Sequence, residues 1–215
     1  MRTCLRVCTF LGCAMGLTSL ATAQETANSL FTASVGAGFT TPVYHAGSQL
    51  DTGWNVQGQA GINLFGARAG LVGEFDYNHM GVNSATLTNL QFPGGETNIW
   101  SVSADPVLRF NPNGKVSVYL IGGPGVYHRT IDFTQPTVAF FNGFDPFLGV
   151  IYPVGVPANQ VVASYSTTKL GVNGGVGFNY RIGSGHAKFF AEARYNQMYT
   201  QHTMAWVPVT FGFRW

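Results

Sequence analysis

"VPVTFGFRW", residues 207–215, alternates strictly: Val207, Val209, Phe211, Phe213 and Trp215 are apolar, with Pro208, Thr210, Gly212 and Arg214 between them. Successive side chains of a β-strand point to opposite faces, so this spacing makes one oily face and one polar face. Soluble domains usually finish in a frayed polar tail rather than on such a run. Composition indicates which solvent the oily face meets. Charged residues make up 9% of the 215, aromatics 14%, and there are 28 glycines; an average soluble domain is about 25% charged. No internal run is long enough for a transmembrane helix. A chain poor in charge, rich in glycine and aromatics, and alternating in hydrophobicity points to β-structure facing lipid.

Working back from that last strand, seven more segments carry the same alternation. The set is approximately 31–40, 54–64, 69–79, 99–110, 116–128, 167–181, 187–198 and 205–215. Most have the 9–11 residues that a tilted strand needs to cross a bilayer. Short connections follow the second, fourth and sixth: "FGAR" (65–68), "NPNGK" (111–115) and "IGSGH" (182–186), all with turn chemistry. Longer ones follow the first, third, fifth and seventh, around 41–53, 80–98, 129–166 and 199–204. Short turns at one end and long loops at the other are the habit of bacterial transmembrane barrels, and an even strand number puts both termini at the turn end.

Parity sharpens the expectation. If Phe31, Val35, Phe39, Trp54, Val56, Leu71, Phe75, Trp100, Val102, Leu170, Val172, Phe189 and their alternates face outward, then the strand charges Glu74, Asp76, Asp105, Arg109, Lys169, Arg181, Lys188, Glu192, Arg194 and Arg214 all face inward. An Arg or Lys on the lipid face near the midplane costs about 2–4 kcal/mol. The fifth strand is ambiguous, because Val118-Tyr119-Leu120-Ile121 is apolar on both faces. Aromatics fall at two heights: Phe31, Phe110, Tyr180, Phe189 and Trp215 at the turn end, and Phe39, Trp54, Tyr77, Trp100 and Tyr199 at the loop end. Two girdles bracketing an apolar band suit the two membrane interfaces.

The N-terminal "MRTCLRVCTFLGCAMGLTSLATAQ" has Arg2 and Arg6, an apolar stretch, and Ala21-Thr22-Ala23 before Gln24. This is the pattern of a secretory signal cleaved after residue 23, leaving a single domain over 24–215. Lipidation at Cys13 is the weaker alternative. Cys4, Cys8 and Cys13 all lie inside this segment, so a mature chain would hold no thiol, disulfide or cysteine metal site. Removing Arg2 and Arg6 turns 11 basic residues against 9 acidic into 9 against 9. A neutral chain gives no reason to expect nucleic acid.

The terminal "VPVTFGFRW", the seventh strand "KFFAEARYNQ" and the eight-strand layout resemble the OmpA/OmpX-type family of small outer-membrane β-barrels, over essentially all of 24–215. The resemblance implies an all-β fold, an eight-stranded antiparallel up-and-down transmembrane barrel, integral in the outer membrane with both mature termini periplasmic. It implies contact with outer-membrane lipid and lipopolysaccharide. It also makes Phe211, Phe213 and Trp215 the signal read by the barrel-assembly machinery, with Trp215 where Phe is commoner. No peptidoglycan-binding domain follows the barrel, so cell-wall tethering is not implied.

Eight strands enclose a lumen that side chains can fill. Glu74, Asp76, Asp105, Arg109, Glu192 and Arg194 form the expected lumen charge network, Arg194 and its neighbours meeting the acids across the barrel, since buried charges must be paired. The plainer role is filling the barrel and fixing register, favoured over a narrow ion path. The segment 129–166 is long and apolar, with Asp132 and Asp145 its only charges after Arg129. It is either a hairpin packing its own Phe and Val residues over the barrel mouth, the favoured reading, or an extended adhesive surface binding a partner by edge pairing. A third option adds two strands to make ten. Lipid-modifying catalysis is disfavoured: His45, His79, His128, His186 and His202 are scattered, and the pair His128–Thr130 has no acid to orient it. No metal-ligand spacing and no cofactor motif is present. The function expected is a structural or surface-interaction role, adhesion-like, with a narrow channel or a small-hydrophobe transporter as the alternative.

Overall fold

In a computed structural model the structure describes residues 30–183, 187–200 and 203–215. The expected signal segment, its cysteines, His186 and His202 lie outside the described residues. Eight strands form one closed ring in chain order: β1 (Phe31–Val43), β2 (Gly53–Leu64), β3 (Ala69–Gly81), β4 (Gly94–Phe110), β5 (Val116–Asp145), β6 (Val150–Arg181), β7 (Lys188–Met198) and β8 (Met204–Arg214). All neighbours are antiparallel, and β8 closes on β1 from Ser34↔Arg214 to Val43↔Ala205. Closure leaves no sheet edge within the apolar band, which hydrocarbon demands because it offers nothing to an unpaired N–H or C=O. The opening stretch completes that closure. Trp215 N–H donates to the Ala33 carbonyl (2.8 Å), and the Trp215 carbonyl accepts from Ala33 N–H (3.1 Å) and the Thr32 hydroxyl (3.0 Å). At Gly38 a β-carbon would run into the Val209 carbonyl, so only glycine allows β1 and β8 to come this close.

Burial follows parity. On β4 every residue from Thr97 to Phe110 alternates between the lumen and the outside, with Asp105 and Val107 buried and Val102, Leu108 and Phe110 exposed. β5 resolves its ambiguity the same way: Val118 and Leu120 face out, Tyr119 and Ile121 in. Glu74, Asp76, Asp105, Arg109, Glu192, Arg194 and Arg214 are buried, whereas Lys169 sits exposed at the loop end. The loop-end aromatics form a belt along the ladder, Phe39↔Trp54, Tyr77↔Trp100 and Trp100↔His128, with Trp54 and Tyr77 rings 5.5 Å apart and Trp100 stacked on His128 at 5.0 Å. At the turn end Phe178, Phe189 and Phe213 are linked at 6.5 and 6.2 Å.

The loop-end connections depart from expectation. Residues 80–98 are not one loop: β4 starts at Gly94, and a short helix α1 (Ser84–Leu90) precedes it. Asn83 caps that helix by accepting from Ala85 N–H at 2.8 Å, and Gln91 ends it in the left-handed region. The larger correction concerns 129–166. β5 and β6 run on as paired strands to Asp145↔Val150, leaving only 146–149 as the turn. Neither the favoured cover over the mouth nor two extra barrel strands is formed. The physical reason is that each strand's ladder partner is the other, so the chain has no slack with which to fold back.

Candidate functional site

Two features are built from the residues singled out above: the filling of the lumen and the hairpin that leaves it. The middle of the lumen centres on Arg194 of β7. Its guanidinium meets three carboxylates: Glu74 from β3, Asp105 from β4 (2.8 Å) and Glu192 from its own strand (2.6 Å). Neutral donors serve the remaining lone pairs. Gln57 Nε2 donates to Glu74 (2.9 Å) and Glu192 (3.0 Å), Gln59 Nε2 to Glu74 (2.7 Å), Ser103 to Asp105 (2.8 Å) and Asn173 to Asp105 (2.9 Å). Tyr119 O–H donates to Glu192 at 2.6 Å. Such sharing is what keeps a buried charge from being prohibitive.

Of the six residues expected in the network, the structure brings four together: Arg194, Glu74, Asp105 and Glu192. Asp76 instead accepts from Asn78 Nδ2 at 2.6 Å. Arg109 stands apart, lower in the lumen, donating to Asn63 Oδ1 at 2.9 Å. Arg214 joins the network from below. It lies 3.8 Å from Glu192, donates to Gln59 (2.8 Å) and Asn179 (3.0 Å), and stacks over the Tyr119 and Phe190 rings. Its parity had marked it as inward. Tyr119 was hidden in a stretch apolar on both faces, and the alternation of Val118 and Leu120 was the signal that could have found it.

The polar network does not fill the whole lumen. Toward the turns, Val72, Val107, Tyr119 and Ile121 form an apolar cluster on the wall made by β3, β4 and β5. Toward the loops, a larger plug joins Met80, Ile99, Tyr127, Met198, Met204 and Trp206, with Ala46, Leu50 and Val82 over it and Leu87 of α1 against it. Tyr127 meets Trp206 edge-on at 5.5 Å, and both are essentially without solvent exposure. These inward positions were legible by parity (Trp206 shares it with Pro208 and Thr210), but the expectation of a polar lumen overlooked them. The residues packed over the loop end thus come from the 44–50 and 82–90 segments, not from the hairpin beyond Phe133.

The hairpin starts at a bulge between Phe133 and Thr134, where Val162 is the extra residue. Its base is anchored: Phe133 is buried, stacks on Phe92 at 4.6 Å and meets Tyr165 edge-on at 6.4 Å. Beyond that, the ribbon from Thr134↔Val161 to Asp145↔Val150 extends about 40 Å at strand rise. Both faces are apolar and exposed. Val138, Phe140, Phe144 and Ile151 continue the outer surface of the barrel, and Phe141, Val150, Tyr152 and Val156 continue its lumen side. Phe147, at the tip, is 96% exposed. The outer edges of the ribbon carry prolines. Pro136↔Asn159, Asn142↔Pro153 and Val138↔Pro157 share one ladder parity, the arrangement that turns all three ring nitrogens outward where no ladder bond is lost. Proline at an outer edge blunts edge pairing.

Among the described residues His128 and His79 are held in separate polar contacts. His128 lies on the outer face with Nδ1 2.7 Å from the Thr168 hydroxyl and Nε2 3.4 Å from that of Thr130. His79 Nδ1 is 2.8 Å from Asn98 Oδ1. Among the described residues there is no cluster of three His, Cys, Asp or Glu able to hold a metal, and no helix is long and apolar enough to cross a membrane.

The chain is similar to several solved structures. Neisserial surface protein A (NspA) superposes with a TM-score of 0.56 at 15% identity, over 86% of this chain and 96% of that one. OprG from Pseudomonas aeruginosa gives a TM-score of 0.49 at 12% identity, over 86% and 93%. Ail, the attachment invasion locus protein of Yersinia pestis, gives 0.46 at 19% identity, over 86% and 98%. Among curated proteins no sequence matches. The family model for the outer membrane protein beta-barrel domain matches residues 10–209, and with the closed eight-stranded ring and its lipid-facing band this chain belongs to that family, as an integral protein of the outer membrane.

Proposed function

We propose that the protein acts at the cell surface as a non-conducting outer-membrane barrel that presents the β5–β6 hairpin to a partner, a structural or adhesion-like role. The observation that carries this reading is the pairing of a lumen filled by the Arg194 network and the loop-end apolar plug with a ribbon left apolar and exposed on both faces. An isolated two-stranded ribbon is marginally stable in water, and an exposed apolar surface of this extent marks an interaction site. The proline-bearing edges favour contact through the faces of the ribbon over edge pairing, the mode attached to the adhesive alternative in the sequence. The reading puts the loop end outside and both termini in the periplasm. Outer-membrane lipid and lipopolysaccharide then surround the outward band, and the barrel-assembly machinery reads Phe211, Phe213 and Trp215. The role proposed is non-enzymatic: His128 is engaged by two threonine hydroxyls and a tryptophan face, and among the described residues no carboxylate orients it as general base chemistry needs.

The test has two arms. Planar-bilayer recordings of the refolded protein, with insertion verified by heat-dependent gel mobility, are expected to be silent. Steady openings would instead favour the narrow channel. Replacing 136–159 by a short turn is expected to abolish attachment of expressing cells to host cells while the barrel still folds. Attachment that survives the deletion removes the hairpin from the role.

A further inference from the structure

The charges of the barrel are sorted by height. Among the described residues the acids occupy the middle of the lumen (Glu74, Asp76, Asp105, Glu192) or the loop end (Asp51, Glu96, Asp132, Asp145), and none lies at the turn end. Six cations do: Arg68 and Lys115 in the turns, and Arg109, Arg181, Lys188 and Arg214 on the lumen side of β4, β6, β7 and β8. Three of these are direct ladder neighbours. Arg181 is paired with Lys188, and Lys188 with Arg214, so like charges stand opposite one another twice in succession. Residues so placed have β-carbons about 4.5–5.5 Å apart, and like charges there are destabilising. Arg109 completes the ring from across the mouth, within electrostatic reach of both Lys188 and Arg214. Only Arg214 has an acid near, Glu192 at 3.8 Å; among the described residues Arg109, Arg181 and Lys188 form no ion pair.

Register and lumen filling do not require this arrangement. The network around Arg194 is satisfied without Arg181 and Lys188, and glutamine at either position would keep the inward polarity without the repulsion. A ring of two to four guanidinium and ammonium groups around one opening matches the oxygens of a phosphate group, which arginine grips through paired N–H donors and lysine as a point charge. We propose that the turn-end mouth of the barrel binds a phosphate-bearing anion, held by Arg181 and Lys188 with Arg109 across the mouth, while Arg214 behind them stays engaged by Gln59 and Asn179. The phosphate comes either from a soluble compound or from the headgroup of an anionic phospholipid in the adjacent leaflet. The site does not depend on which end of the barrel faces outward.

The experiment uses the refolded barrel in phosphatidylcholine nanodiscs and reads its thermal unfolding midpoint. One arm adds pyrophosphate against sodium chloride of equal ionic strength, and the other replaces part of the phosphatidylcholine by phosphatidylglycerol with no soluble phosphate. A rise with pyrophosphate beyond that of chloride identifies a soluble source, and a rise with phosphatidylglycerol alone identifies a headgroup. Lys188→Gln should raise the midpoint without phosphate, because it removes both repulsive pairs, and should weaken phosphate binding about tenfold, the loss of one charge-assisted hydrogen bond. Arg181→Gln, at a half-exposed position, should do the same to a smaller degree. Equal responses to chloride, pyrophosphate and phosphatidylglycerol would show only screening of a hydrated rim and overturn the proposal. So would a Lys188→Gln barrel that is less stable without phosphate and binds it unchanged.

Discussion

Replacing Arg194 by methionine tests the reasoning about the lumen most directly. The change keeps much of the aliphatic stem and removes one positive charge from among Glu74, Asp105 and Glu192. Hydrogen bonds to charged groups contribute about 1.5–3 kcal/mol each, so simple addition over three carboxylates would give about 4.5–9 kcal/mol. That sum overstates the loss, because the guanidinium no longer has to be desolvated and Arg214 still lies 3.8 Å from Glu192. Breaking a buried ion pair by removing one partner costs about 3–5 kcal/mol, mostly because the other charge is stranded. Arg194→Met is therefore expected to lose about 3–5 kcal/mol in urea unfolding followed by tryptophan fluorescence in lipid vesicles. Adding Glu74→Gln, Asp105→Asn and Glu192→Gln should recover most of the loss, since those substitutions remove the stranded charge rather than a contact. A change within about 0.5 kcal/mol for the single variant, the usual range for an exposed site, would mean the carboxylates are hydrated and the lumen wet. Such a barrel would be neither filled nor held together by the network.

Two further outcomes follow from the backbone. Pro153→Thr combined with Pro157→Thr restores two outward N–H groups on the free edge of β6, and the double variant should form concentration-dependent oligomers by light scattering where the parent stays monomeric; an unchanged mass would show that the prolines do not guard the edge. Gly38→Val drives a side chain into the Val209 carbonyl across the closing β1–β8 ladder, and should leave most of the protein without the heat-dependent gel shift of a closed barrel, whereas a normal shift would mean that the ladder can spread.

How much of this was legible depends on what each residue had to answer to. The alternation of Val207 to Trp215, the inward parity of the buried charges and the two aromatic heights were readable because lipid imposes one rule on every strand: outward apolar, inward unrestricted. The same rule gave Tyr119 and Trp206 their direction but not their role, since an inward position can be polar or apolar once the lumen is packed. Distances across the barrel were not readable. Asp76 shares parity and height with Glu74, yet its nearest donor is Asn78 on its own strand, and Arg109 lies too near the turns to reach any carboxylate. Parity fixes a face; only shear and side-chain length decide which faces meet.

The segment 129–166 shows the limit from the other side. Once β5 and β6 leave the membrane, no solvent rule separates strand from loop, and a run such as "TVAFFNGF" (137–144) satisfies a buried cover and an exposed ribbon equally. What distinguishes them is proline placement. Pro136, Pro153 and Pro157 share one ladder parity in the observed register, and would lose it if Val162 were not bulged out. A cover collapsed on the barrel mouth has no free edges to guard and gains nothing from that shared parity. A ribbon standing clear of the membrane has two long edges, and unguarded edges with this many exposed Phe, Val and Ile side chains would join any neighbouring copy. Outward prolines keep the edges silent while leaving both faces open, and that division of labour is why the partner is to be sought on Phe140, Phe141, Phe144 and Ile151 rather than along the backbone.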